Sequence, residues 1–177
     1  LIMNIHILPD DKFNDGFIRN CKKYSVTKNK FISIPKGGEG PKFPVSEIKY
    51  VESLNVVLEA IDFEKTRRIY IHGLWGWRSE LLGRLDASPP ITWVLYGTDV
   101  YRHLPFYKIY ETRTRAFISF GREEMRLLDW ARFIRRYIKW NRPRLSQYLR
   151  TRRALRKLDS IAFWLRHDYE RIQRFYQ

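Results

Sequence analysis

The chain has 177 residues, 44% of them apolar and 16% aromatic, and a formal net charge of +15. That length accommodates one domain with a sizeable core, and that composition excludes a disordered polyelectrolyte. A lone cysteine, Cys21, rules out an internal disulfide and points to a reducing compartment, and no run approaches the ~18 to 20 apolar residues that cross a bilayer.

MNIHIL at 3–8 reads as a first strand, with Pro9, Asp10 and Asp11 just beyond it and a helix expected over 15–24. No basic region precedes an apolar block at the N-terminus, so a secretory signal is not expected. FISI at 31–34 is a second strand, and PKGGEGPKFP at 35–44 is rich enough in Gly and Pro to be a loop. A third strand, IKYV at 48–51, leads to a helix over 53–61. RIYIH at 68–72 is a fourth strand, closed by His72 and Gly73 and followed by a helix over 77–85. ITWVLY at 91–96 is a fifth; Gly97, Thr98 and Asp99 follow it, then an aromatic-rich helix over 100–112. SIAFWL at 160–165 is the last, with Arg166, His167 and Asp168 behind it. Most of these runs are near-continuous in apolar residues, as suits strands buried on both faces, and they alternate with helices. The expected fold is therefore an α/β, doubly wound, mostly parallel sheet in a single domain, 1–177, without internal repeats.

In such sheets ligands bind beyond the carboxyl ends of the strands. The candidate site is accordingly His72, Gly73, Gly97, Asp99, Arg166 and Asp168, with Asp10 and Asp11 as weaker candidates. Each has a plainer reading beside the functional one. Asp99 serves equally well as an N-cap, His72 as a structural hydrogen-bonding residue, and the glycines as turn formers that also let a ligand approach the backbone. No cluster suggests a metal, and no G-x-G-x-x-G turn suggests a dinucleotide.

The charge is concentrated late in the chain. Residues 1–111 hold 16 basic and 13 acidic side chains, whereas residues 112–177 hold 18 and 6. Basic amphipathic helices are expected at about 122–157. On a helical wheel Leu127, Trp130, Ala131, Ile134, Tyr137 and Ile138 share one face. Arg132, Arg135, Arg136 and Lys139 lie opposite, with Phe133 and Trp140 at the flank, and Arg144, Arg150, Arg152, Arg153, Arg156 and Lys157 continue the charge. A solvated face on a core-packing helix explains the apolar stripe but not the scarcity of acids. An interfacial element accounts for both, with Arg and Lys drawn to anionic lipid and Trp130, Phe133 and Trp140 at headgroup depth. Basic residues interleaved with aromatics also suit single-stranded nucleic acid. No RRM, KH or zinc-finger pattern accompanies them, which makes nucleic acid the weaker partner.

The stretch IYIHGLWGWRSELLGRLDASPPITWVLYGTDVY, residues 69–101, resembles the bacterial lipid-linked 4-acetamido-4,6-dideoxygalactose (Fuc4NAc) transferases, a family of GT-B glycosyltransferases. The likeness lies in a strand ending His72-Gly73, a helix, and a strand carrying Trp93, Tyr96, Gly97, Asp99 and Tyr101. It departs in Tyr96, where the family has a second Trp, and in a longer segment over 116–157. SIAFWLRHDYERI looks like the family's later strand with its Arg-x-Asp, here Arg166 and Asp168.

The resemblance implies a Rossmann-like, acceptor-binding N-terminal half of a GT-B enzyme. The donor-binding domain is expected to lie outside this chain, to hold most of the nucleotide-sugar, and to be needed for transfer. It further implies a polyprenyl-pyrophosphate-linked saccharide as acceptor, surface polysaccharide synthesis as the setting, and a peripheral place on the inner face of the cell membrane. Asp99 is then expected as base or acceptor-orienting carboxylate. His72 stands beside it as base or as a ligand of sugar or pyrophosphate, and Gly73, Gly97, Tyr101, Arg166 and Asp168 bind substrate. The other reading is a basic α/β module that binds nucleic acid or a partner without catalysis.

Overall fold

A computed structural model describes residues 2–35, 40–74, 76–85, 89–96, 152, 154–163, 166, 170 and 173. Six strands form one sheet: β1 (Met3–Leu8), β2 (Lys28–Ser33), β3 (Ile48–Tyr50), β4 (Thr66–His72), β5 (Ile91–Val94) and β6 (Ser160–Ala162). Their order is β3-β2-β1-β4-β5-β6, and every pairing is parallel. Among the described residues, three helices lie between strands, α1 (Asn14–Tyr24), α2 (Leu54–Glu59) and α3 (Trp77–Arg84), together with a 3-10 turn at Phe63–Lys65. The expected parallel α/β architecture is present. The expected helices over 100–112 and most of 122–157 lie outside the described residues.

Strand periodicity divides the core. Ile5, Ile7, Ile32, Ile69, Ile71, Ile91 and Trp93 point to one face, where Val57 of α2 and Leu81 and Leu82 of α3 cover them. Leu8, Phe31 and Ile48 pack with Ile18 and Phe17 of α1 in a second cluster. Alternate residues of one strand thus enter opposite clusters, as a pleated strand requires. Each fully buried Ile or Leu contributes about 1.5 to 3 kcal/mol.

β6 joins the sheet through specific polar contacts. Ile91 donates its N–H to Asp159 Oδ2 at 2.7 Å, and Arg68 Nη1 donates to Thr92 Oγ1 and Ser160 Oγ at 2.8 and 3.1 Å. Just before β6, Ala154 is buried in the first cluster, and Leu155 and Leu158 pack against it. Lys157, one of the basic residues of the late block, donates to the carbonyls of Gly83 and Leu85 at 2.8 and 2.6 Å. A cation at the carboxyl end of α3 offsets that helix's dipole and satisfies carbonyls with no partner within the helix.

The strand order places the switch in direction between β1 and β4. From β1 the chain leaves over one face through α1, and from β4 over the other through α3. In open parallel sheets the carboxyl ends of two strands that diverge in this way are where ligands bind.

Candidate functional site

His72 is the last residue of β4 and only 1% exposed. Gly73 follows with φ at 73°, a left-handed conformation that favours glycine, and its N–H bonds to the carbonyl of Val94 at 3.0 Å. Its own carbonyl accepts from Arg78 Nε at 2.7 Å, an interaction that holds a buried guanidinium at the start of α3. The strand end, the sharp turn and the buried cation are therefore one unit.

His72 does not stand alone. Its Nε2 lies 3.1 Å from His6 Nδ1, and its Nδ1 lies 3.0 Å from the hydroxyl of Tyr96. His6, in the middle of β1, continues the chain through Nε2 to Asn29 Oδ1 of β2 at 3.1 Å. Tyr70, its register partner on β4, stacks on the His6 ring at 4.7 Å and 6°. Phe17 of α1 meets both imidazoles edge-on, at 5.4 and 4.7 Å. The four polar groups thus cross β2, β1 and β4 and include Tyr96, two residues beyond β5, beneath an aromatic cover.

Both imidazoles are neutral at pH 7. Burial lowers the His6 pKa from 6.5 to about 4, against the opposing effect of its hydrogen bond to Asn29 Oδ1. Burial also holds His72 well below its ordinary value, helped by His6 and by the Arg78 guanidinium. A neutral imidazole carries one donor and one acceptor nitrogen, so each bond in the chain constrains the next.

The remaining strand-end candidates divide. Asp10 accepts the N–H groups of Lys42 and Phe43 at 2.7 and 3.1 Å, which ties the 40–45 segment to the end of β1. Asp11 accepts from the N–H of Phe13 at 3.1 Å, a local turn at the entry to α1. Arg166 is 88% exposed along its side chain and pairs with Glu170 at 2.9 Å. Gly97, Asp99, Tyr101 and Asp168 lie outside the described residues, as do Trp130, Arg132, Phe133, Arg135, Arg136, Lys139 and Trp140. The structure brings His72 and Gly73 together at the switch point and adds His6, Asn29, Tyr96 and Arg78, of which only Tyr96 was singled out by sequence. His6 was signalled only by its place in MNIHIL, where it interrupts an apolar run two residues after Asn4.

Among the described residues no cluster of His, Cys, Asp and Glu could hold a metal ion, and no helix is long and apolar enough to cross a membrane. Asn29 also lines an open groove of about 410 Å³ between the end of α1 and the start of β2, with Cys21, Lys22, Thr27 and Glu47 on its walls. That groove lies at the amino-terminal end of the sheet, away from Gly73. No protein-family model, curated protein or solved structure matches the chain.

Proposed function

We propose that this domain is the acceptor-binding half of a GT-B glycosyltransferase that moves a sugar from a nucleotide-sugar onto a polyprenyl-pyrophosphate-linked saccharide. The observation that supports the reading is the buried His72, hydrogen-bonded on both ring nitrogens at the carboxyl end of β4 where β4 and β1 diverge, within the segment that resembles the Fuc4NAc transferases. Glycosyl transfer needs an acceptor hydroxyl held in line with the anomeric carbon and a group that removes its proton. An imidazole held uncharged by burial at a strand carboxyl end suits that chemistry. Gly73 lets the acceptor approach the backbone, and Asp99, Gly97 and Tyr101, which follow β5 directly in sequence, are assigned to the same edge. The donor nucleotide is assigned to a second domain.

The basic block is assigned to an anionic membrane surface at the cytoplasmic face, where the lipid-linked acceptor resides. Each Lys or Arg near such a surface contributes about 1 kcal/mol. Two measurements test the reading. The chain should bind a detergent-solubilised polyprenyl-pyrophosphate-linked saccharide more tightly than the same lipid without sugar. It should also sediment with vesicles containing anionic lipid, less so as salt rises, because screening acts over roughly 8 to 10 Å at physiological strength. Equal affinity with and without sugar removes the acceptor role. Preference for a single-stranded oligonucleotide at matched salt would favour the nucleic-acid reading instead.

A further inference from the structure

The exposed apolar side chains of the domain are not scattered. Among the described residues six large hydrophobics are exposed, and four of them, Ile2, Tyr24, Val26 and Phe63, come just before a strand. All the strands run parallel, so these four gather at the amino-terminal end of the sheet, away from Gly73. Met3 faces Lys28 on one side and Thr66 on the other, which sets the starts of β2, β1 and β4 side by side. The most exposed of the four, Val26, lies in the turn from α1 into β2, within an exposed run over 22–26. That turn is fixed. Ser25 Oγ donates to the Thr27 carbonyl at 2.8 Å and accepts the Thr27 N–H at 3.3 Å, and the Ser25 N–H bonds to the Cys21 carbonyl at 2.9 Å.

The charge on this turn has one sign. Residues 21–30, CKKYSVTKNK, contain four lysines and no acid. Lys22 pairs with Glu47, whereas Lys23 and Lys28 form no ion pair among the described residues. Lys23 sits instead over the Tyr24 ring at 5.0 Å, and Arg67 adds a guanidinium by donating to Thr27 Oγ1 at 3.1 Å. The open groove beside the turn mixes Val26 and Phe31 with Lys22 and Lys28 on its walls. Lysine is depleted in protein–protein interfaces, and Val26 offers no ring on which a nucleic-acid base could stack. A bilayer containing anionic lipid accommodates both features, since it attracts lysine, takes tyrosine at headgroup depth and dissolves an aliphatic tip.

We propose that the turn over 24–27, with Lys22, Lys23 and Lys28 around it, is an insertion tip for an anionic membrane surface. Val26 enters the apolar side of the headgroup boundary, Tyr24 stays at headgroup level, and the lysines meet the anionic groups of the lipid. The tip is separate from the basic block over 122–157 and does not depend on the transferase reading.

A dye at the tip distinguishes its insertion from attachment through the basic block. On the full chain, Cys21→Ala leaves no native thiol, so Val26→Cys or Lys42→Cys carries a single polarity-sensitive nitrobenzoxadiazole. Both positions are exposed, and Lys42 lies at the other end of the sheet, where its N–H bonds to Asp10. Phosphatidylcholine vesicles containing phosphatidylserine should brighten the dye at position 26 and shift its emission to shorter wavelength, and leave the dye at position 42 unchanged. Reversing the tip charge with Lys23→Glu and Lys28→Glu should raise the lipid concentration for half of that response roughly tenfold or more. On the undyed chain, Val26→Asp should remove the protection that vesicles give the amides of 24–27 against hydrogen exchange. A dye at position 26 that vesicles leave unchanged overturns the proposal, as does an equal response to phosphatidylcholine alone or at position 42. A response that grows with protein concentration in the absence of lipid would seat a second copy on the tip and overturn it too.

Discussion

Lowering the pH from 7 to 5 should cost this fold about 1.8 kcal/mol through His6 alone. The ring titrates near 6.5 in the unfolded chain and at about 4 in the folded one, because burial beneath Phe17 and Tyr70 disfavours the cation. A depressed folded pKa means that the stability is fully present above pH 6.5, that unfolding takes up a proton as the pH falls, and that the loss is complete below 4. Over that whole range the gap between 6.5 and about 4 amounts to roughly 3.4 kcal/mol. By pH 5 the unfolded ring is almost fully charged and the folded ring almost wholly neutral, which gives the smaller figure. Against a typical stability of about 5 to 15 kcal/mol, either loss is readily measured. The assay is urea unfolding at pH 7, 6 and 5 on the unaltered chain and on His6→Gln, which cannot titrate. The variant's absolute stability is immaterial; the fall between pH 7 and 5 should be smaller by about 1.8 kcal/mol. Equal falls in the two proteins would mean that His6 is solvated or charged in the fold.

Asp10→Ala should release the amides of Lys42 and Phe43, seen as faster hydrogen exchange at those positions, and cost about 1 to 3 kcal/mol by chemical denaturation. Gly73→Ala should lower stability by about 1 to 2 kcal/mol, because φ at 73° strains any residue with a Cβ. Ile71→Ala, at a fully buried position between β1 and β5, should cost about 2 to 5 kcal/mol in the same assay. Ser53→Ala should cost about 1 kcal/mol, since its side chain accepts from the N–H of Val56 at the start of α2.

What could be read in advance follows the range of the interactions involved. Runs such as MNIHIL and RIYIH announce strands because their neighbours in the chain are apolar, and β1 and β4 begin and end within two residues of where those runs do. β2 begins three residues before its apolar run, at Lys28, because the ladder to β1 continues through polar residues. Lys30, for instance, sends its ammonium to the Ala60 carbonyl at 2.6 Å. β5 ends at Val94, two residues short of its run, where its parallel pairing with β4 and with β6 stops. At the site, His72 and Gly73 were legible as a strand end. His6 was not, because a histidine within an apolar run acquires meaning only once β1 is known to lie beside β4. That adjacency depends on a pairing between segments about 60 residues apart, which no local pattern encodes.

The separation also bears on how the domain comes into being. His6 and His72 are 66 positions apart, and Arg68 reaches Ser160 across 92. A nascent chain that has emerged only as far as β3 can pair β1 with β2 and β2 with β3, yet the other edge of β1 waits for β4. Closing a loop of that length costs about 3.7 kcal/mol in chain entropy before any contact offsets it. The joining of β1 to β4 is therefore a natural barrier in folding, and β6 adds by a closure as long. The hydrogen-bonded pair His6 and His72 crosses that seam, so it cannot exist in a half-assembled sheet. Imidazole NMR signals of His6 and His72 followed during refolding would consequently report the moment the two halves of the sheet meet.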